Sequence, residues 1–334
     1  MSRDPEHGHG HGHAVSANAD RRFLWAALSV LLAFMAGEVV VGLVARSLAL
    51  ISDAGHMLTD AFSIGLALIA MRVAARPPRG GYTFGLKRAE ILSAQLNGLT
   101  LILLAAYFVF EAARRLIEPP EVAGPLVLVT AIVGIGINVL TTWLLSRADR
   151  GNLNVEGAFQ HVLNDLYAFV ATAIAGLVVW LTGFARADAI ATLVVAGLML
   201  KAGYGLLRDA GRILMEAAPM GMDPSEIGSR LAARPCVVEV HDLHVWEVTS
   251  GYAAMSAHVM VDQGGDCHAV RRDLGSVLRN AYGITHTTLE VDHVPERLAD
   301  DADHCEDAHG PRHLAGPEGP HWGGHGSDRS VPGV

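Results

Sequence analysis

Two segments of the chain share one spacing of metal-ligating residues. In each segment a histidine is followed four residues later by an aspartate: His56 precedes Asp60, and His161 precedes Asp165. Residues four apart on an α-helix lie on the same face, about one turn from each other. Each segment therefore offers an imidazole beside a carboxylate, and two such helices facing each other would supply four ligands.

Two imidazoles and two carboxylates are the ligands of a tetrahedral Zn²⁺ site, with bonds of about 2.0 to 2.2 Å. Mg²⁺ prefers oxygen ligands and retained water, so the histidines argue against it. Cu²⁺ binds such donors tightly but prefers tetragonal geometry. The pattern predicts a Zn²⁺ site, with Cd²⁺ and Co²⁺ as the next candidates.

Both pairs lie in long apolar stretches. A helix needs roughly 20 apolar residues to cross the hydrocarbon core of a membrane, and the first 208 residues contain six stretches of that kind. They are 23–44, 48–73, 91–110, 125–145, 155–181 and 187–207. The sequence therefore predicts a membrane domain of six transmembrane helices, in which the second and the fifth carry the two pairs.

The alternative is that each pair is a hydrogen-bonded couple that only holds two helices together. A charged aspartate at mid-membrane costs about 2.5 to 3.5 kcal/mol on insertion scales. Two pairs of identical spacing would incur that cost twice for packing that leucine could provide, so we favour metal binding. Thr59 and Asn164 are expected to support the ligands or to join helices. Asp53 could be a ligand or line the cavity, but a role in supporting the ligands or at the helix entry is favoured.

Charge divides the chain at about residue 208. Residues 1–208 carry 16 Lys and Arg against 14 Asp and Glu, a net charge of +2, whereas residues 209–334 carry 9 Arg against 20 acidic residues, a net charge of −11. The overall charge of −9 argues against nucleic acid as a partner. Three cysteines, all after residue 208, are no disulfide framework and fit a reducing compartment.

Basic residues also predict an orientation. If both ends of the membrane domain lie on one side, twelve Lys and Arg flank the spans on that side and only Arg46, Arg114, Arg115 and Arg186 lie on the other. Because positive residues accumulate on the cytoplasmic side, both termini are predicted to be cytoplasmic. We expect an integral membrane protein of the bacterial inner membrane.

The acidic part predicts a small α+β domain. A helix over 224–234 with Asp223 as its N-cap, strands over 237–248 and 252–262, a helix over 267–280 and a strand over 286–292 follow from residue patterns. On the polar side, His258, His286 and Asp292 could converge with His241 and His268 on a second metal site. The alternative is a set of solvated surface side chains.

Three motifs together resemble the cation diffusion facilitator family, zinc-transporter branch. They are LALISDAGHMLTD at 48–60, YTFGLKRAE at 82–90 and VHDLHVW at 240–246, and the similarity runs from about residue 22 to residue 294. The resemblance implies six transmembrane helices followed by a cytoplasmic, metallochaperone-like (ferredoxin-like) α+β domain. It also implies a transporter rather than an enzyme.

What the resemblance implies for mechanism is a homodimeric exporter. Each protomer would bind one Zn²⁺ between its second and fifth spans and exchange it for protons by alternating access. In this family a histidine at the position of His56 favours zinc. Positions matching His241, His258 and Asp292 bind regulatory zinc near the dimer interface, and His268 or His286 would complete that site.

The two ends of the chain are rich in histidine. His7, His9, His11 and His13 alternate with glycine, and the tail carries His304, Cys305 and further histidines among Gly, Pro and acidic residues. Such composition predicts disorder and, at the N-terminus, weak metal capture. The expected organisation is a disordered segment over 1–20, a transport domain over 21–208, a dimerisation and metal-sensing domain over 209–296 and a disordered tail over 297–334.

Export of Zn²⁺ across a lipid membrane in exchange for H⁺ is therefore the predicted function. A non-transporting membrane metal sensor is the alternative. An intramembrane metalloenzyme fits less well, because a catalytic zinc usually has three protein ligands and an open position, and no general base or nucleophile pattern accompanies the four ligands.

Overall fold

We analysed a computed structural model of the chain, which describes residues 13–44, 48–118, 124–184, 186–294 and 310–315. The predictions about His7, His9 and His11, which alternate with glycine, and about most of the tail concern residues outside these ranges. The chain forms two compact units, Met1–Met215 and Glu216–Val334. The division lies seven residues after the predicted boundary, because the sixth helix continues beyond its apolar stretch.

The first unit consists of six long helices, and each contains one of the six apolar stretches. They are α1 (His13–Val44), α2 (Leu48–Ala74), α3 (Ala89–Ile117), α4 (Gly124–Leu145), α5 (Leu153–Thr182) and α6 (Ala187–Leu214). Within the residues searched, α3, α5 and α6 are long and apolar enough to cross a membrane, and the stretch Ala131–Leu145 of α4 is shorter.

Helix α1 starts earlier than expected. It begins at His13, inside the segment 1–20 that we predicted to be disordered. Residues such as Ala14, Ala17 and Ala19 favour helix, so the backbone hydrogen bonding of the apolar stretch extends backwards through them. The prediction is wrong for 13–20.

The two largest hydrophobic clusters of the first unit join its six helices. One joins α1, α2, α4 and α5 through fully buried side chains such as Leu24, Ile64, Leu145 and Val162. The other joins α3 to α6 around Leu101 and neighbouring residues. The first unit is therefore built from a four-helix group and a helix pair, each with its own core.

Glycines bring α3 and α6 into backbone contact. A Cβ atom at Gly203 of α6 would lie 2.8 Å from the carbonyl oxygen of Gly98 on α3. No side chain fits in that space, so the two helices cross more closely than helices with larger residues could.

The second unit is the expected α+β domain. Its elements are α7 (Pro224–Ala232), β1 (Val237–Thr249), β2 (Tyr252–Val261), α8 (Cys267–Tyr282), β3 (His286–His293) and β4 (His313–Leu314). The sheet order is β3-β2-β1-β4, with β2 and β3 parallel and the other neighbours antiparallel. Both helices pack on one face, where Ile227, Leu231, Leu274 and Leu278 form a core with the strands.

Polar caps define the starts of both helices. Asp223 accepts a hydrogen bond from the backbone N–H of Ser225, which confirms the predicted N-cap of α7. Asp266 caps α8 by accepting from the N–H groups of Ala269 and His268. These bonds favour the ionised carboxylate and so lower the pKa of Asp266 below its ordinary value.

Strand β4 is an element that the sequence analysis did not foresee. It lies inside the tail 297–334 that we predicted to be disordered, and it pairs with Glu239 and Val240 of β1. Its His313 ring is buried against Gly228 of α7 and lies 3.4 Å from the hydroxyl of Ser229. Burial lowers the pKa of His313. This short piece of the tail therefore belongs to the folded unit.

Candidate metal centre

Three of the four predicted transport ligands meet between α2 and α5. Asp60 of α2 and His161 and Asp165 of α5 each offer one ligand atom, and these atoms all lie within 4.8 Å of one another. The Nε2 atom of His161 lies 3.1 Å from an oxygen of Asp60. Two ligand atoms on a tetrahedral zinc are about 3.4 Å apart, so small side-chain adjustments would let the group hold an ion.

Helix geometry explains why these residues converge. His161 and Asp165 are one turn apart on α5, and α2 runs antiparallel to α5 with Asp60 facing His161. A second contact joins the same two helices: the side-chain amide of Asn154 donates a hydrogen bond of 2.9 Å to the carbonyl oxygen of Ala67. This bond fixes the register of the two helices. The cluster therefore rests on two rigid elements rather than on loops.

Burial leaves this cluster with charged and polar atoms that a cation could bind. His161 is 1% exposed and Asp60 is 7% exposed. Among the described residues, His161 Nδ1 and one oxygen of Asp165 have no hydrogen-bond partner. Two carboxylates held together away from water repel each other, and a divalent cation would remove that repulsion while occupying the unpaired atoms.

The fourth predicted ligand, His56, lies on α2 one turn before Asp60. Its side chain is outside what the structure describes, as are those of Asp53 and Thr59. The side-chain amide of Asn164 donates to the carbonyl oxygen of Gln160 on its own helix, 2.6 Å away. Asn164 is therefore bonded to its own helix.

In the second unit, the sheet face opposite α7 and α8, which we call the outer face, carries the predicted regulatory residues of the strands: His241, His258, His286 and Asp292. His241 of β1 and His258 of β2 are strand partners, and their ring centroids lie 5.5 Å apart. Each imidazole also faces a carboxylate: His241 Nδ1 lies 3.2 Å from Glu239, and His258 Nε2 lies 3.2 Å from Glu290. The structure thus brings two of the five predicted residues together.

The other three lie apart from that pair. His286 is at the start of β3 beside Tyr252, with ring centroids 6.2 Å apart. Asp292 is the strand partner of Met260. His268 is on the first turn of α8, which packs on the other face of the sheet. In the described part of this unit, no three ligand atoms lie within 4.8 Å of one another.

Sequence reasoning missed three carboxylates around the histidines: Glu239, Glu290 and Asp242. Asp242 lies in a β1 irregularity between His241 and His244, with a φ of 49°, and its oxygens approach His244 at 2.9 Å and His258 at 3.7 Å. Aspartate tolerates this left-handed backbone better than most residues. The alternation of β3 already placed Glu290 on the polar face, but its pairing with His258 depends on register.

Comparison with known proteins gives the family. The model described as "Cation efflux transmembrane domain" matches residues 24–215, and the model described as "Cation efflux protein, cytoplasmic domain" matches residues 219–294. The two matches divide the chain at nearly the same place as the two compact units.

Relatives match over most of their length. The chain is 37% identical over 279 residues to the "Cadmium, cobalt and zinc/H(+)-K(+) antiporter" of Bacillus subtilis (strain 168), covering 82% of this chain and 89% of the relative. It is 37% identical over 280 residues to "Zinc transporter ZitB" of Escherichia coli (strain K12), covering 83% and 89%.

Among solved structures, the metal-bound C-terminal domain of the CzcD transporter from Cuprividus metallidurans matches 21% of this chain and 97% of its own, at 34% identity and a TM-score of 0.20. The family does not depend on that likeness. The first family model alone covers more than half of the chain, and the two relatives exceed 30% identity over more than four fifths of it. The chain therefore belongs to the cation efflux family, the cation diffusion facilitators of the zinc-transporter branch, whose members are transporters and not enzymes.

Proposed function

We propose that the chain exports Zn²⁺ from the cytoplasm in exchange for protons by alternating access, with Cd²⁺ and Co²⁺ as further substrates. The observation that carries this proposal is the buried cluster of Asp60, His161 and Asp165 between two antiparallel helices. Relatives named as a zinc transporter and as a cadmium, cobalt and zinc antiporter support the choice of ion.

His56 is the fourth ligand of the proposed transport site. It stands four residues before Asp60 on α2, as His161 stands four residues before Asp165 on α5. Four protein ligands complete a tetrahedron around zinc without an open position for substrate water. A site of that kind binds an ion for transport rather than for catalysis.

Proton exchange follows from the chemistry of imidazole. Histidine must be neutral to ligate a metal, and free histidine titrates near pH 6.5, so metal release and proton uptake compete at one nitrogen. We assign this exchange to His56 and His161. The relative named as a zinc/H(+)-K(+) antiporter is consistent with coupling to protons.

In the proposed arrangement all six helices α1–α6 cross the bacterial inner membrane and both termini are cytoplasmic. The transport domain then ends with α6 near Leu214, and the second unit forms the cytoplasmic dimerisation and metal-sensing domain. A homodimer is supported by the match to the family's cytoplasmic-domain model over 219–294.

We further propose that His241, His258 and Asp292 bind regulatory zinc, with His268 or His286 completing the site. The strand pairing of His241 with His258 supports this. A zinc ion there would offset negative charge on an acidic unit and favour closer packing of two protomers.

Proteoliposomes test the transport proposal. Purified wild-type protein should move Zn²⁺ under a pH gradient, and His161→Ala should abolish that flux because the cluster loses a ligand. Val170→Ala is the matched control, since it lies on α5 and is exposed on the opposite side of the helix.

Two outcomes would contradict the proposal: no flux from the wild type, or equal flux from the wild type and His161→Ala. Zinc binding without flux would favour the non-transporting sensor instead. Competition between Zn²⁺, Cd²⁺ and Co²⁺, repeated on His56→Asp, would then define the substrate.

A further inference from the structure

Four buried polar side chains lie along α2, α3 and α5, three helices that pack against one another. They are Ser63 of α2, Ser93 and Asn97 of α3, and Asn154 of α5, and each is at most 4% exposed. Each has an atom with no hydrogen-bond partner among the described residues: Ser63 Oγ, Ser93 Oγ, Asn97 Nδ2 and Asn154 Oδ1. We call these four residues the polar column.

The column leads from the metal cluster toward one end of the helices. Asn154 bonds to Ala67, and each of these two residues is seven positions from the Asp60–His161 contact on its own helix. At 1.5 Å per residue, Asn154 is therefore about 10 Å from the cluster. Ser63 lies between, three residues after Asp60 and on the same face of α2.

Helix α3 supplies the middle of the column. A Cβ atom at Gly157 would lie 3.3 Å from the Asn97 amide nitrogen, and Gly157 is one turn before His161. Ser93 is one turn before Asn97 on the same face of α3, toward the end at which α3 and α5 begin. The four polar groups thus succeed one another from that end to the cluster.

Buried polar atoms without partners are rare in proteins, and they mark places where a ligand, an ion or water is bound. Hydroxyl and amide groups can take the place of water around a cation that leaves its hydration shell. Four such groups in sequence lower the cost of moving a divalent cation past apolar side chains.

We propose that the polar column is the passage by which a divalent cation, as it loses its hydration water, reaches Asp60, His161 and Asp165. This inference rests on the proposed export function, in whose orientation the column opens to the cytoplasm. The competing explanation is that the four residues only join helices, as the Asn154 bond to Ala67 does.

Thiol accessibility separates the two explanations without measuring transport. The native Cys236, Cys267 and Cys305 are first replaced by serine. Asn97→Cys is then compared with Leu96→Cys, which is at the same depth of α3 but on its exposed side. The probe is a charged methanethiosulfonate reagent applied to membrane vesicles opened to both sides.

A thiol reacts with such reagents as its thiolate, which forms in water and not in lipid. We expect Asn97→Cys to react at least tenfold faster than Leu96→Cys, and Zn²⁺ to slow that reaction. Ser93→Cys, an isosteric change, should behave in the same way and guards against misfolding of Asn97→Cys. Equal or absent labelling of both column variants would overturn the passage.

Transport kinetics supply the second arm. Gly157→Ala would place a methyl group 3.3 Å from the Asn97 amide nitrogen, so we expect the initial Zn²⁺ flux to fall about tenfold while equilibrium Zn²⁺ binding at the cluster is kept. Leu96→Ala is the control. If the wild type transports zinc, Gly157→Ala has no effect on flux and the column variants are not labelled, the passage is rejected but the export function stands. If the wild type shows no flux, the export function alone is rejected.

Discussion

The same kinds of side chain, histidines and carboxylates, occur in the cluster between α2 and α5 and on the outer face of the sheet. The two regions differ in how closely these side chains are brought together. In the first, three ligands from two rigid helices already lie within 4.8 Å of one another, and two of them, Asp60 and His161, are buried. In the second, His241 and His258 each contact a carboxylate, and the other predicted ligands lie elsewhere.

The two regions therefore differ in what they can bind without rearrangement. A preorganised buried cluster loses little side-chain freedom when an ion binds, so its geometry can select the ion. On the outer face, a metal must first compete with the nearby carboxylates for the imidazoles or recruit ligands from farther away. We therefore expect the helical cluster to dominate transport and the outer face to modulate it.

Among these tests, Asp165→Asn is expected to have the largest effect on zinc transport. It removes one negative charge from a buried group of three ligands, so we expect Zn²⁺ flux in proteoliposomes to fall at least 100-fold. Zinc binding by the second unit should be unchanged in calorimetry. A variant that keeps a tenth or more of wild-type flux would show that Asp165 is not a ligand.

A smaller effect is expected from His258→Ala on the outer face. In a His161→Ala background, which removes the transport site, calorimetry should show zinc binding about tenfold weaker than in the background protein. Ser256→Ala is the matched control, because it lies on the same face of β2. In the otherwise wild-type protein, flux at saturating zinc should change less than threefold; complete loss of flux would mean that the two regions are not separable.

Glu290→Gln tests whether this carboxylate contributes to zinc binding on the outer face. Glu290 lies 3.2 Å from His258 and is a carboxylate that could join the metal, so we expect zinc affinity to weaken about threefold. Glu226→Gln, an exposed glutamate on α7, is the control. Tighter binding would show instead that Glu290 only competes with zinc for His258.

Gly228→Ala tests whether the edge of the sheet matters to either region. Its methyl group would collide with the buried His313 ring, and overpacking of this kind costs about 1 to 3 kcal/mol of stability. Thermal unfolding should show a lower midpoint for the second unit. Zinc flux should remain at the wild-type value, and a large loss would link β4 to the transport site.

The smallest effect is a pH dependence at the same edge. Because burial lowers the pKa of His313 below its ordinary 6.5, the folded state binds this proton less readily than the unfolded state. The second unit should therefore lose stability as the pH falls below 6.5, and the loss should be smaller in His313→Gln. Identical slopes for both proteins between pH 7 and pH 5.5 would exclude the effect.

The helical cluster was the part most open to prediction from sequence, because helix geometry alone puts a histidine and the aspartate four residues later on one face. Pairing α2 with α5 followed from the repeated spacing. The outer face was less predictable, since contacts such as His258 with Glu290 depend on strand register and on the irregularity at Asp242. Strand β4 has only two residues and gives almost no periodic signal.

The contact of Gly98 with Gly203 limits how the six helices can move. The two backbones touch at this crossing and the side chains around it form a shared core, so we expect α3 and α6 to move as one body. Any rocking of that pair against α2 and α5 would separate Asn97 from Gly157 while leaving the Asp60–His161 contact in place. A rigid-body motion of α3 and α6 would therefore change the surroundings of the ion site without moving the ligands themselves.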